Sequence, residues 1–289
     1  VAYLSSVIDR VRQFLPERFR VDRPSVAVIR LSGAIGMSQP MRQSLTFAAV
    51  VPAFEKAFSM KGIAAVALIV NSPGGSPAQS HLIYQRIKAL SVEKKVPVFA
   101  FVEDVAASGG YMIACAADEI FADPTSVVGS IGVVSAGFGF DRFIERFGIE
   151  RRVHTAGESK AMLDPFQPEN PDDVIRLRNL QEKIHAFFKD LVRSSRGEKL
   201  KGDEASLFSG AFWVGLEALE LGLIDGYGDI RAVLRKKFGE KVKLIPISVG
   251  RVPLLSRLFG RGQSGTVLLD PQAAIAAVEE RALWARYGL

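Results

Sequence analysis

Cysteine is almost absent from this chain, with one residue, Cys115, in 289. An internal disulfide framework is therefore excluded. Cys115 stands in an alanine-rich stretch, where a lone thiol is expected to be a small buried hydrophobe. Long apolar runs are missing too. The longest, "GIAAVALIV" at 62–70, falls far short of the ~20 residues a membrane-spanning helix needs. The opening "VAYLSSVIDRVRQFLPERFR" lacks the continuous apolar core and cleavage site of a secretory signal. The expected location is cytoplasmic, or peripheral at a bacterial cytoplasmic membrane, unless an export segment has been removed. Histidine is scarce: only His81, His154 and His185 occur, and none reads as a loop residue beside an acid. A Ser-His-Asp triad is thus weakly supported. There is no internal repeat, no low-complexity tract and no Walker phosphate loop.

What is present describes a globular protein: 48% hydrophobic and 24% charged residues. The length suits one large domain, or one domain with appendages. The net charge of +6 is spread over many segments. That spread argues against a nucleic-acid footprint and is better suited to an anionic membrane surface. Leu4, Val7, Ile8, Val11, Phe14 and Leu15 fall at helical spacing between polar residues, ahead of Pro16. This amphipathic N-terminal helix either packs on protein or makes a peripheral membrane contact through residues 3–15.

Short apolar runs then alternate with helical patterns. Strands are expected at 25–31, 64–70, 96–102 and 119–123, and helices at 40–59, 77–90 and 109–117. This alternation predicts an α/β fold with a mainly parallel sheet. "NPDD" at 170–173 starts a long helix with Asn170 as cap and Pro171 at its first position, running to Gly197. A further α/β section covers 203–248. The boundaries expected are an N-terminal helix at 1–24, the main domain at 25–248, and a linker with a C-terminal helix at 249–289.

Two stretches invite chemistry. "LIVNSPGGSPAQS" at 68–80 runs a buried strand into two glycines and then a helix, and ligands in α/β sheets gather at such strand ends. "VAASGGY" at 105–111 sets Ser108 at the start of another helix. Ser108 could be a simple N-cap. It could equally be a nucleophile, with the Gly109 N–H stabilising the oxyanion. Two glycines in the first turn cost helix stability, which favours a reason other than folding. With histidine unsuited, the remaining base is a lysine. Lys160, in "GESKAMLDPF" at 157–166, precedes apolar Ala161, Met162 and Leu163. Burial beside such a wall favours the neutral amine a base requires. Ser130, in "VVGSIGVVS", is either a turn residue or a hydroxyl that orients that amine.

Together "NSPGG" (71–75), "AASGGY" (106–111), "GSIGV" (129–133), "SKAMLDPF" (159–166) and "ALELGLID" (218–225) resemble the signal peptide peptidase A family of serine peptidases. The resemblance spans about residues 25–247. It implies a Clp-protease/crotonase-like fold, a repeated β-β-α superhelix, and a homo-oligomer around an axial cavity. It also implies Ser108 as nucleophile, Lys160 as general base and Ser130 as the lysine's hydrogen-bond partner. Gly75 and Gly109 are the implied oxyanion hole. The implied substrate is an extended apolar peptide such as a released signal peptide, cleaved with no metal and no cofactor. Two departures from the family pattern are expected: no N-terminal membrane anchor in this chain, and one catalytic unit rather than a tandem pair. Two other readings stay open, a crotonase-type acyl-CoA hydratase or hydrolase and a catalytically inactive scaffold at the membrane surface.

Overall fold

The computed structural model describes residues 23–36, 45–157, 159–249, 278 and 280–289. The expected amphipathic helix at residues 3–15 and the expected linker lie outside them. Eight strands form one sheet: β1 (Ser25–Ser32), β2 (Ile63–Ser72), β3 (Val98–Ala107), β4 (Glu119–Ala122), β5 (Val127–Gly129), β6 (Phe212–Val214), β7 (Gly226–Tyr227) and β8 (Lys243–Ile247). The main path runs β6-β5-β3-β2-β1-β8, with β4 pairing β3 and β7. All pairs are parallel except β5 with β6. The α/β fold with a mainly parallel sheet is therefore as expected.

Period-two alternation sorts each central strand between two cores. Val66, Leu68 and Val70 of β2 enter the larger core together with Val98, Ala100 and Val102 of β3. Ala65, Ala67, Phe99 and Phe101 point the other way. Helices α1 (Phe47–Phe58), α2 (Pro77–Lys94) and α3 (Gly109–Ala114) bring Val50, Phe54, Ile83, Ile87 and Ile113 to the larger core. The smaller one receives Val233 and Leu234 from a late helix spanning Ile230–Phe238.

Strand β3 positions the site because it splits its partners. Phe99–Val102 pair with β4, whereas Val105–Ala107 pair with β5. The strand was expected to stop at 102, where Glu103 and Asp104 end the apolar run. It continues because those residues have partners: Asn71 Nδ2 donates to Asp104 at 2.7 Å, and Arg30 pairs with Glu103 at 2.5 Å.

After β5 the chain leaves the body of the fold. The short α4 (Asp141–Arg146) has no buried residue. The long α5 (Pro171–Arg196) starts as its sequence predicts, with Asn170 accepting from the Asp172 N–H at 3.0 Å. Its buried residues, Phe188, Leu191, Val192 and Arg196, all lie in its last third. Its earlier turns leave Ile175, Leu180, Ile184 and Phe187 exposed. The described helix of the C-terminal segment covers 280–285.

Cys115 is fully buried just past α3, as expected. Burial pushes its thiol up to about 12. Nearby, Arg196 donates to Asp225 at 2.7 Å and to the Gly222 carbonyl at 2.9 Å. Lys199 and the Ile120 N–H also reach Asp225, each at 2.7 Å. Burial works to raise the Asp225 pKa, but the Arg196, Lys199 and Ile120 hydrogen bonds hold it below the ordinary value. The last acid of "ALELGLID" thus has a structural job beneath the α3 helix.

Candidate active site

Ser108 lies where β3 turns into α3, with φ 50° and ψ −120°. A non-glycine residue there is strained, by about 1–3 kcal/mol. The side chain makes no cap hydrogen bond to the helix. A serine that only capped would sit in extended backbone and accept from the first turn, so the capping interpretation fails on both counts. The backbone is held instead by Ser108 N–H donating to the Gly129 carbonyl at 2.8 Å, and by Met112 N–H donating to the Ser108 carbonyl at 3.0 Å. A sharp strand-to-helix turn of this kind lifts a nucleophile above a sheet.

The sheet register gathers the other candidates. Ser72 on β2 is opposite Ala106, and Ala107 is opposite Gly129. The residues just past these strand ends, Gly74 and Gly75, Ser108 and Gly109, and Ser130, therefore meet along one edge. The Gly74 backbone abuts Ser108: an added Cβ would lie 2.8 Å from Ser108 Cβ and 3.1 Å from Gly109 N. Gly75 bridges Ile35 through Ile35 N–H to Gly74 O and Ser76 N–H to Ile35 O, both at 2.8 Å. In that pattern the Gly75 N–H is not used toward Ile35. The Gly109 N–H opens α3, where an intrahelical acceptor does not exist. Both N–H groups suit an oxyanion.

Ser130 also has positive φ, 53°, and its N–H donates to the Ala211 carbonyl at 2.7 Å. The next residue is pinned from α5, where His185 Nε2 lies 3.0 Å from the Ile131 carbonyl. His185 and Gly74 are contributors that sequence reasoning passed over. His185 had a signal, since it stands three residues before buried Phe188 on the same helix face.

Lys160 is placed differently. It lies in a turn, exposed. Among the described residues no apolar wall buries it, contrary to the expectation. Its turn is tied to the start of α5, where Leu163 N–H donates to Asp173 at 3.1 Å and Arg176 donates to Ser159. From Asp173 to His185 the helix rises about 18 Å. Among the described residues no hydrogen bond joins the Lys160 side chain to Ser108 or Ser130. The structure thus unites Ser108, Ser130, Gly75 and Gly109 and leaves Lys160 apart on an arm.

An α/β sheet that raises a strained serine beside two glycine N–H groups is the framework of a serine hydrolase. Comparison with known proteins gives the family. A model described as Peptidase family S49 matches residues 91–243. A curated protein of Synechocystis is 31% identical over 276 residues, covering 92% of this chain and 93% of its own length. The chain belongs to peptidase family S49, a serine-type family that includes signal peptide peptidase A. "Serine protease SPPA, chloroplastic" of Arabidopsis thaliana is 30% identical over 254 residues, 84% of this chain and 37% of its own length. A Brucella abortus protein named "Na(+)/H(+) antiporter NhaA" is 53% identical over 289 residues, 96% of this chain. This chain spans only 39% of the length of that relative. No helix among the described residues is long and apolar enough to cross a membrane.

Proposed function

We propose that this chain is a serine endopeptidase working through a Ser-Lys dyad. The observation that carries the reading is Ser108 itself, a serine in strained backbone whose hydroxyl caps nothing. In this reading Ser108 Oγ attacks the scissile carbonyl while neutral Lys160 takes its proton. The Gly75 and Gly109 N–H groups hold the oxyanion. Collapse of the tetrahedral intermediate breaks the peptide bond, and Lys160 returns the proton to the leaving amine. Water then hydrolyses the acyl-enzyme ester by the same route. Ser130 accepts a hydrogen bond from the lysine and orients it.

Because Lys160 stands on an arm away from its own Ser108, the dyad is proposed to form between neighbouring subunits. The arm is suited to such an exchange. Phe140 stacks on Phe166 at 5.7 Å and Arg151 lies 4.8 Å above the Phe166 ring, contacts that tie its two ends together. It still leaves Phe138, Phe143, Phe147 and Ile149 exposed, an apolar surface that marks a protein interface. The substrate class proposed is an extended apolar peptide such as a released signal peptide. A peripheral membrane contact through residues 3–15 is part of the same proposal.

The test is covalent labelling with a serine-directed peptidyl phosphonate, with the modified residue located by mass spectrometry. Ser108 should carry the label, and Ser108→Ala should lose both label and peptide cleavage while keeping its unfolding midpoint. Undiminished turnover by Ser108→Ala would end the nucleophile assignment.

A further inference from the structure

The catalytic edge already holds a piece of this chain. The phenol oxygen of Tyr287 lies 3.3 Å from Ser130 Oγ and 3.5 Å from the Pro73 carbonyl oxygen. A phenol hydroxyl both donates and accepts, so donation to Pro73 leaves it able to accept from the Ser130 hydroxyl. The Tyr287 ring meets Phe212 edge-on, with centroids 5.1 Å apart and planes at 73°. Phe212 is the residue opposite Gly129 in the β5–β6 pair. At the other end of the segment, Glu280 Oε1 lies 3.8 Å from where a Gly33 Cβ would stand. Gly33 follows β1 and is bound to the end of β2 by its N–H to the Asn71 carbonyl at 3.0 Å. Residues 280–287 therefore cross the C-terminal ends of β1, β2 and β5, the edge from which Ser108 rises.

We propose that the segment 280–289 is a built-in occupant of the catalytic cleft, a peptide held against Ser130 through Tyr287 that substrate must displace. This inference rests on the peptidase reading for its consequence and not for the contact. Ser130 is the hydroxyl assigned to orient Lys160; donating to Tyr287 leaves its lone pairs able to accept from an amine, so what the segment obstructs is the cleft and not the Ser130 acceptor. The seated segment is the resting state; its release frees the cleft. The segment sits by side-chain contacts, an aromatic edge and one phenol bridge, and a neutral peptide with an aromatic side chain fits the same place.

The test uses the full chain and the point variants Tyr287→Ala and Tyr287→Phe. A fluorescein-labelled synthetic peptide of residues 280–289 is titrated onto the wild-type chain and onto each variant, with anisotropy as readout. Binding to Tyr287→Ala should be saturable and about tenfold tighter than to wild type, whose site is filled; one aromatic contact and one hydrogen bond are of that size. Tyr287→Phe, which keeps the ring, should fall between. A labelled peptide carrying the Tyr287→Ala change should bind about tenfold more weakly than the native peptide. With a fluorogenic peptide amide, Tyr287→Ala should lower KM several-fold at unchanged kcat, and the added peptide should raise KM for the wild-type chain. Equal binding by all three chains, or no saturable binding, overturns the occupancy, and so does an unchanged KM in an active Tyr287→Ala chain. If no chain cleaves peptide yet binding depends on Tyr287, the peptidase reading fails while the occupied cleft stands. If all cleave with one KM and none binds the segment, the reverse holds.

Discussion

At the scale of single residues, the candidate site is defined by what its side chains do not do. Ser108 accepts no cap bond despite standing at a helix start, and Lys160 is exposed where a base needs an apolar wall. The lysine assignment has a sharp chemical test. Arginine matches lysine in charge, but its guanidinium stays protonated at any working pH. Lys160→Arg should therefore be as inactive toward a fluorogenic peptide as Lys160→Ala, with both unfolding midpoints near that of the parent chain. Measurable turnover by Lys160→Arg would assign the base elsewhere. The place of this site was legible beforehand. Ser108, Ser130, Gly75 and Gly109 stand in short glycine-bearing stretches that follow strands, and strand ends are where an α/β sheet puts its ligands; the implied oxyanion role of Gly75 and the choice between the two readings of Ser130 came from the family resemblance. Gly74 was not singled out, because its role is steric and depends on Ser108 approaching from another strand. Tyr287 left no trace in the sequence at all, since its partners are 73, 130 and 212, far away in the chain.

At the scale of elements, periodicity and caps were reliable guides where the cause was local. Asn170 and Pro171 begin α5 as expected, and β2 is buried on both faces as its unbroken apolar run requires. Three boundaries were misjudged: the helix expected over 40–59 starts at Phe47 behind its cap Thr46, α2 runs past 90 to Lys94, and β3 runs past 102 to Ala107. The last five residues of β3 are held by cross-strand partners, Arg30 on Glu103, Asn71 on Asp104 and β5 along Val105–Ala107, which no local window contains. The turn after β2 has the tightest fit at the site. A Cβ on Gly75, whose φ is 142°, would lie 2.2 Å from the Ile35 carbonyl oxygen and 2.7 Å from Ile35 N. Those are backbone atoms and cannot swing aside. Gly75→Ala should lower stability by at least ~1 kcal/mol from backbone strain alone, and should impair peptide cleavage further by shifting the proposed oxyanion donor. Gly137, with nothing within 4 Å of an added Cβ, is the control; Gly137→Ala should change stability by less than ~0.5 kcal/mol. Urea unfolding midpoints of the two variants check this, and equal midpoints would show that the Ile35 bridge yields.

At the scale of the whole molecule, the proposed dyad is divided between two parts of the chain. The sheet edge presents Ser108, the proposed nucleophile, with Gly75, Gly109 and Ser130. The arm presents Lys160, a set of exposed aromatics and, on α5, the uncovered stripe Ile175, Leu180, Ile184 and Phe187. Exposed apolar surface on this scale calls for a partner, and under the proposed shared dyad that partner is a second copy of this chain. A head-to-tail arrangement repeats the same contact around a closed ring. The consequence is arithmetic. Ser108→Ala and Lys160→Ala chains should each be inactive alone. After dissociation and joint reassembly, a junction works only when the Lys160→Ala chain gives the serine and the Ser108→Ala chain gives the lysine. Under random mixing that is about a quarter of junctions in a heterologous ring. The mixture should recover about that fraction of parental turnover, with subunit exchange verified by native mass spectrometry. A dyad formed within one chain would leave every junction dead at any mixing ratio. Exchange without recovery would therefore return Lys160 to its own Ser108 and require the arm to fold back across the roughly 18 Å of helix between Asp173 and His185.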